Sequence, residues 1–81
     1  MPRRPASSKK SPVAQAIGKV LRQKRAEAGL TQERFAELVD LSKNYVGNLE
    51  RGEYEISVTT LHRIAKAVNM KASDLLRMAG C

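Results

Sequence analysis

From Val13 onward the apolar positions recur every three or four residues rather than alternating, so the chain predicts a run of short helices and no strand. Val13, Ile17, Val20, Leu21 and Ala28 give the first helix its apolar spacing, and the AGL at 28–30 supplies a natural stop. Thr31 is placed to cap a second helix whose apolar face is Phe35, Ala36, Leu38 and Val39. Asp40-Leu41 then interrupts the pattern, and Ser42 is a fresh N-cap for residues 43–49. After a polar loop anchored by Ile56, the residues Leu61, Ile64, Ala65 and Val68 mark a fourth helix that ends at Asn69. Ser73 is expected to cap a fifth, through Leu75, Leu76 and Met78. The expected fold class is all-α, with five helices in one domain over residues 13–79.

Residues 31–52 carry the most specific local demand. Two helices of seven or eight residues with almost no linker must cross steeply. That requires a small residue at the crossing, apolar inner faces, and a turn residue that tolerates a left-handed backbone. Ala36 fits the crossing, Phe35, Val39, Leu41, Val46 and Leu49 fit the inner faces, and Asp40 takes the turn. The second of these helices, within LSKNYVGNLERG, is odd for a structural element. Gly47 costs it about 1 kcal/mol relative to Ala, and only Val46 and Leu49 face inward, so Lys43, Asn44, Tyr45 and Asn48 project as a polar surface. Such a surface suits insertion into a DNA major groove.

Charge narrows the partners. Fifteen Lys and Arg against eight Asp and Glu give a net charge of +7, a balance that favours nucleic acid or an acidic membrane surface. Four of those basic residues, Arg3, Arg4, Lys9 and Lys10, fall in residues 1–12 with three prolines and three serines. This segment reads as a disordered basic tail, either a solubilising end or an arm that follows DNA phosphates. No apolar run approaches a membrane span, and no signal peptide is evident. Cys81 and His62 are each solitary, which leaves no expected metal site, cofactor or catalytic constellation.

The segment TQERFAELVDLSKNYVGNLERG resembles the helix-turn-helix of the lambda repressor and Cro-like family, and the similarity extends over about residues 13–79. Through SKNYVGNLERGEYEISVTTLHRIAKAV the chain is most similar to the small controller proteins of restriction-modification systems. One departure is Asp40, where the family's turn usually has Gly; Asp enters the left-handed region at modest cost.

The resemblance implies a set of roles. Lys43, Asn44, Tyr45 and Asn48 fall where the family's recognition helix meets DNA. Lys43 suits guanine O6 or N7, the two asparagines suit adenine edges, and Tyr45 suits a thymine methyl or a phosphate. Gly47 matches a family glycine that allows close approach of a neighbour. Gln32 matches a phosphate-binding glutamine at a helix N-terminus, with Arg51 and Arg22 adding phosphate charge. Arg25 and Glu50 fall on a family ion pair that ties the first helix to the end of the recognition helix. Glu33 and Glu37 match acidic positions that touch RNA polymerase in lambda repressor, although acids near a helix N-terminus are also favourable in themselves.

A monomer reading one groove face contacts few bases, so a homodimer on a palindromic double-stranded operator is expected. The resemblance places its interface on the last two helices, at Met70 and Leu76. The resulting expectation is a cytoplasmic, nucleoid-associated bacterial or phage regulator, controlling its own operon and without enzymatic activity. Two rivals stand beside it. One is an antitoxin-type interaction module with secondary DNA binding; the other is a nonspecific nucleoid or membrane-surface binder resting on charge alone.

Overall fold

The computed structural model describes residues 11–80, and among them it contains five helices and no strand. They are α1 (Pro12–Glu27), α2 (Gln32–Val39), α3 (Lys43–Glu50), α4 (Val58–Ala67) and α5 (Ala72–Met78). The basic tail expected over residues 1–12 lies outside the described residues except at its end, where Ser11 caps α1 and Pro12 begins it. Ser11 Oγ accepts the Ala14 amide at 2.9 Å, and Pro12 occupies the first helical position, where its missing N–H costs nothing.

Short polar side chains open four of the helices in the same way. Thr31 accepts from the Arg34 amide, Ser42 from Tyr45 and Ser57 from Thr60, each at 3.0 Å. The fifth start differs from expectation. The chain runs extended through Lys71, α5 begins at Ala72, and Asp74 reaches back to accept the Lys71 amide at 3.2 Å. Ser73 is thus inside the helix rather than its cap.

The helix ends are also uniform. Gly29, Asp40, Gly52, Asn69 and Gly80 all take positive φ just past a helix, and Asp40, at φ 58°, fills the glycine role as expected. In four of them the following amide closes back on the carbonyl five residues earlier: Leu30 on Arg25, Leu41 on Ala36, Glu53 on Asn48 and Met70 on Ala65. Leu30, Leu41 and Met70 then fold against the core, which anchors each turn by an apolar contact.

One core holds the helices together. Phe35, Ala36, Val39, Val46 and Leu49 from the α2–α3 unit are buried with Ile17, Val20 and Leu21 of α1, Leu61, Ile64 and Ala65 of α4, and Leu75 of α5. α1 packs on α3 and α5, α2 packs on α3 and α4, and α4 packs on α5. Three apolar expectations fail here. The buried stripe of α1 follows Ala14, Ile17, Gly18, Val20 and Leu21; Val13 lies within about 20° of Val20 on that stripe, but in the first turn it is not packed on the core and is half exposed. Leu38 turns away from the buried face formed by Phe35, Ala36 and Val39 and is 49% exposed. Ala28 is exposed as well, at the C-cap of α1.

Candidate nucleic-acid interface

Only Asp40, Leu41 and Ser42 separate α2 from α3, so the second helix leaves the turn at once with a capped N-terminus. Its buried side is Val46, Gly47, Leu49 and Glu50. Lys43 and Asn44 are exposed, and Tyr45 and Asn48 are half-buried. The four positions expected to read bases therefore lie on the outward side of one short helix or at its edge.

Glu50 anchors that helix from below. Its side chain is 3% exposed and meets Arg25, which is 14% exposed, through Nε to Oε2 at 2.6 Å and Nη2 to Oε1 at 3.2 Å. Arg25 also donates to the Leu30 carbonyl at 2.7 Å, and Gln32 Nε2 donates to Glu50 Oε1 at 2.9 Å. Desolvating both charges offsets much of their attraction, so the gain is mainly one of orientation: α1, the start of α2 and the end of α3 are pinned at a single point.

Above this network lies an open recess of about 250 Å³ lined by Arg22, Arg25, Gln32, Glu50 and Arg51. It brings together the three residues expected to contact phosphate. With three guanidinium groups against one carboxylate, it is a cationic recess. It adjoins the first turn of α2, where Thr31 satisfies the Arg34 amide and leaves the amides of Gln32 and Glu33 without helical partners. Gln32 is thus already oriented by Glu50, with its second N–H still available to a phosphate oxygen.

Gly47 opens onto the same place. A Cβ there would meet Arg51 Nη1 at 3.2 Å and the Gln32 amide oxygen at 3.6 Å, so the glycine makes room for the Arg51 and Gln32 side chains rather than for a neighbouring backbone. The close backbone approach is at Gly18, whose role the sequence pattern did not reveal. A Cβ on Gly18 would lie 2.5 Å from the Leu49 carbonyl oxygen and 2.6 Å from that of Glu50. The last turn of α3 rests directly on α1.

Two of the side chains expected to read bases have partners that periodicity does not disclose. Arg51 Nη2 donates to Asn48 Oδ1, which takes one of that oxygen's two lone pairs and orients the amide, leaving its N–H groups and the second lone pair for another partner. Tyr45 stacks on Tyr54 from the following loop, with ring centroids 5.7 Å apart and planes inclined by 26°.

The remaining expected residues lie elsewhere. Glu33 is exposed on α2, and Glu37 pairs with Arg34 at 2.9 Å in solvent. Met70 and Leu76 are half-buried against the core on the α4–α5 side. Met70 also lines an open recess of about 640 Å³ between α4 and α5, rimmed by His62, Arg63, Lys66 and Lys71. At the end of α1, hydrogen bonds from Lys24 and then Gln23 hold the Glu27 carboxyl below its ordinary value. Among the described residues no group of His, Cys, Asp and Glu is arranged to hold a metal.

The capped helix pair joined by a left-handed turn, with a polar outer face beside a cationic recess, defines a helix-turn-helix protein. The helix-turn-helix family model matches residues 21–75, and the chain belongs to this family. It is 43% identical over 49 residues to an uncharacterized HTH-type transcriptional regulator of Methanothermobacter thermautotrophicus, a match covering 60% of this chain and 71% of that one. Among solved structures it is similar to the clp gene regulator ClgR from Corynebacterium glutamicum, with a TM-score of 0.82 and 32% identity over 89% of this chain and 77% of that one. It is also similar to the restriction-modification controller protein C.AhdI from Aeromonas hydrophila, with a TM-score of 0.74 and 34% identity over 76% of this chain and 94% of that one. The resemblance read from residues 31–52 therefore holds, and DNA-binding transcriptional regulation is the class to which fold and relatives assign the chain.

Proposed function

We propose that this protein acts as a homodimer on a palindromic operator, reading each half-site with Lys43, Asn44, Tyr45 and Asn48 and clamping the flanking backbone with Gln32, Arg22 and Arg51. The observation that carries this is the cationic recess at the start of α2, immediately beside the outward side of α3. Phosphate contacts fix register, and a helix positioned by them can then report base identity. Two copies related by a two-fold axis would address half-sites roughly 34 Å apart along the duplex.

The likeness to a restriction-modification controller supports regulation of its own operon. Dimerisation through the α4–α5 side is supported by Met70 and Leu76, which remain half-buried, and by the neighbouring Met78, which is 45% exposed. Glu33 and Glu37 form an acidic exposed edge of α2 that suits a contact with RNA polymerase bound alongside. No helix among the described residues is long and apolar enough to cross a membrane, which accords with a cytoplasmic, nucleoid-associated protein. The relatives are regulators rather than enzymes, and the interface described here needs no cofactor.

Selection of bound duplexes from random DNA, for the wild type and for Asn44→Ala, tests the proposal. The expected result is a two-fold symmetric site whose half-site preferences relax in the variant. Binding that shows no motif and only fades with salt would overturn it, because charge alone would then account for the affinity.

A further inference from the structure

The loop between α3 and α4 places Tyr54 in a stack with Tyr45, and neither the reading helix nor the phosphate recess accounts for it. Tyr45 is in the first turn of α3, where Ser42 holds its amide and its ring packs partly on the core. Tyr54 covers the other side of that ring while remaining 39% exposed itself.

The flanking residues decide which ring does the contacting. Glu53 and Glu55 put a carboxylate on each side of Tyr54, an unfavourable setting for approach to a phosphate backbone, whereas Tyr45 has Lys43 and Asn44 beside it. The loop itself is held by the Glu53 amide on the Asn48 carbonyl at 2.9 Å and by Ile56 packed against the core. Tyr54 is therefore presented by an anchored loop to a ring that would otherwise sample several rotamers at the edge of the helix.

We propose that Tyr54 is a positioning residue for DNA recognition: by stacking on Tyr45 it fixes that ring in its DNA-contacting orientation before binding. This rests on the reading role of α3 proposed above. A prebuilt stack removes the ordering cost that a free side chain meets at an interface, and the benefit depends on the aromatic face of Tyr54, not on its hydroxyl.

The test uses the full chain and the operator recovered from random DNA, with affinities and single-base preferences measured for Tyr54→Ala, Tyr54→Phe, Tyr45→Ala and the double alanine variant. Urea unfolding of each variant establishes that the folded protein is being compared. Tyr54→Ala is expected to weaken binding by about five-fold and to relax preference at the same base positions as Tyr45→Ala, while Tyr54→Phe stays within about two-fold of wild type. The double variant should bind no more weakly than Tyr45→Ala, because the two rings act as one unit. Additive losses, equal losses for Tyr54→Ala and Tyr54→Phe, or a Tyr54→Ala variant that binds like wild type would each overturn the positioning role while leaving α3 as the reader. If the wild type itself recovers no motif, the reading of α3 fails, and this inference fails with it.

Discussion

Arg25 and Glu50, twenty-five residues apart in the chain, meet in a two-point ion pair that joins the last turn of α1 to the last residue of α3. Removing one partner leaves a buried charge unmatched. Arg25→Met should therefore destabilise the fold by about 3 kcal/mol in urea unfolding. Replacing both, as Arg25→Met with Glu50→Leu, should recover much of that loss. DNA affinity should stay low in the double variant, because Gln32 no longer has an acceptor to orient it. Recovery of stability and affinity together would show that the pair does not position the phosphate site.

The two helical glycines should respond oppositely to alanine. At Gly18 the added carbon meets backbone carbonyls at 2.5 and 2.6 Å, and overpacking of this kind costs about 2 kcal/mol even after the gain in helix propensity. At Gly47 the nearest atom is the mobile end of the Arg51 side chain, so Gly47→Ala should raise stability by about 0.5 kcal/mol. The same change should lower operator affinity by displacing Arg51 and Gln32. Thermal unfolding and a binding titration on both variants check the contrast.

Asp40 sets the turn through its backbone, at φ 58°. Asp40→Gly should keep stability within about 0.5 kcal/mol, since relief of the left-handed conformation is countered by a more flexible unfolded chain. Asp40→Val should cost about 2 kcal/mol, because a β-branched residue is strained there. Similar unfolding midpoints for the two variants would mean that the turn can be made with another backbone geometry.

Glu37 pairs with Arg34, and both side chains are well exposed, so the pair contributes little to stability. Glu37→Lys should leave unfolding and operator affinity close to wild type while abolishing transcriptional activation in a reporter assay. Loss of DNA binding alongside activation would exclude a dedicated polymerase contact.

The elements legible in the sequence were those governed by local rules. Thr31 and Ser42 cap as their positions demand, Asp40 takes the left-handed turn, and Phe35, Val39, Val46 and Leu49 are buried. Ser73 misled because a helix start depends on where the preceding turn releases the chain, and Asp74 supplied the return bond instead. Leu38 reads as inward because an apolar side chain one position off the stripe looks identical in a periodicity count, and Val13 because periodicity does not show that the core ends before the first turn of α1. Gly18 gave no local signal, since its use appears only when a second helix arrives. Tyr54 was similarly silent as an isolated aromatic in an acidic loop, and the Asn48–Arg51 bond depends on rotamers that spacing does not determine.

The seating of α3 on α1 at Gly18 also bears on how the molecule meets its target. An eight-residue helix is marginal by itself, but this one is backed, carbonyl against glycine, by a helix of sixteen residues. The outward side of α3, the proposed reading surface, is therefore splinted before any duplex arrives. Docking should proceed as a nearly rigid fit with small backbone displacement, and discrimination between related sites should appear chiefly in how fast the complex falls apart rather than in how fast it forms.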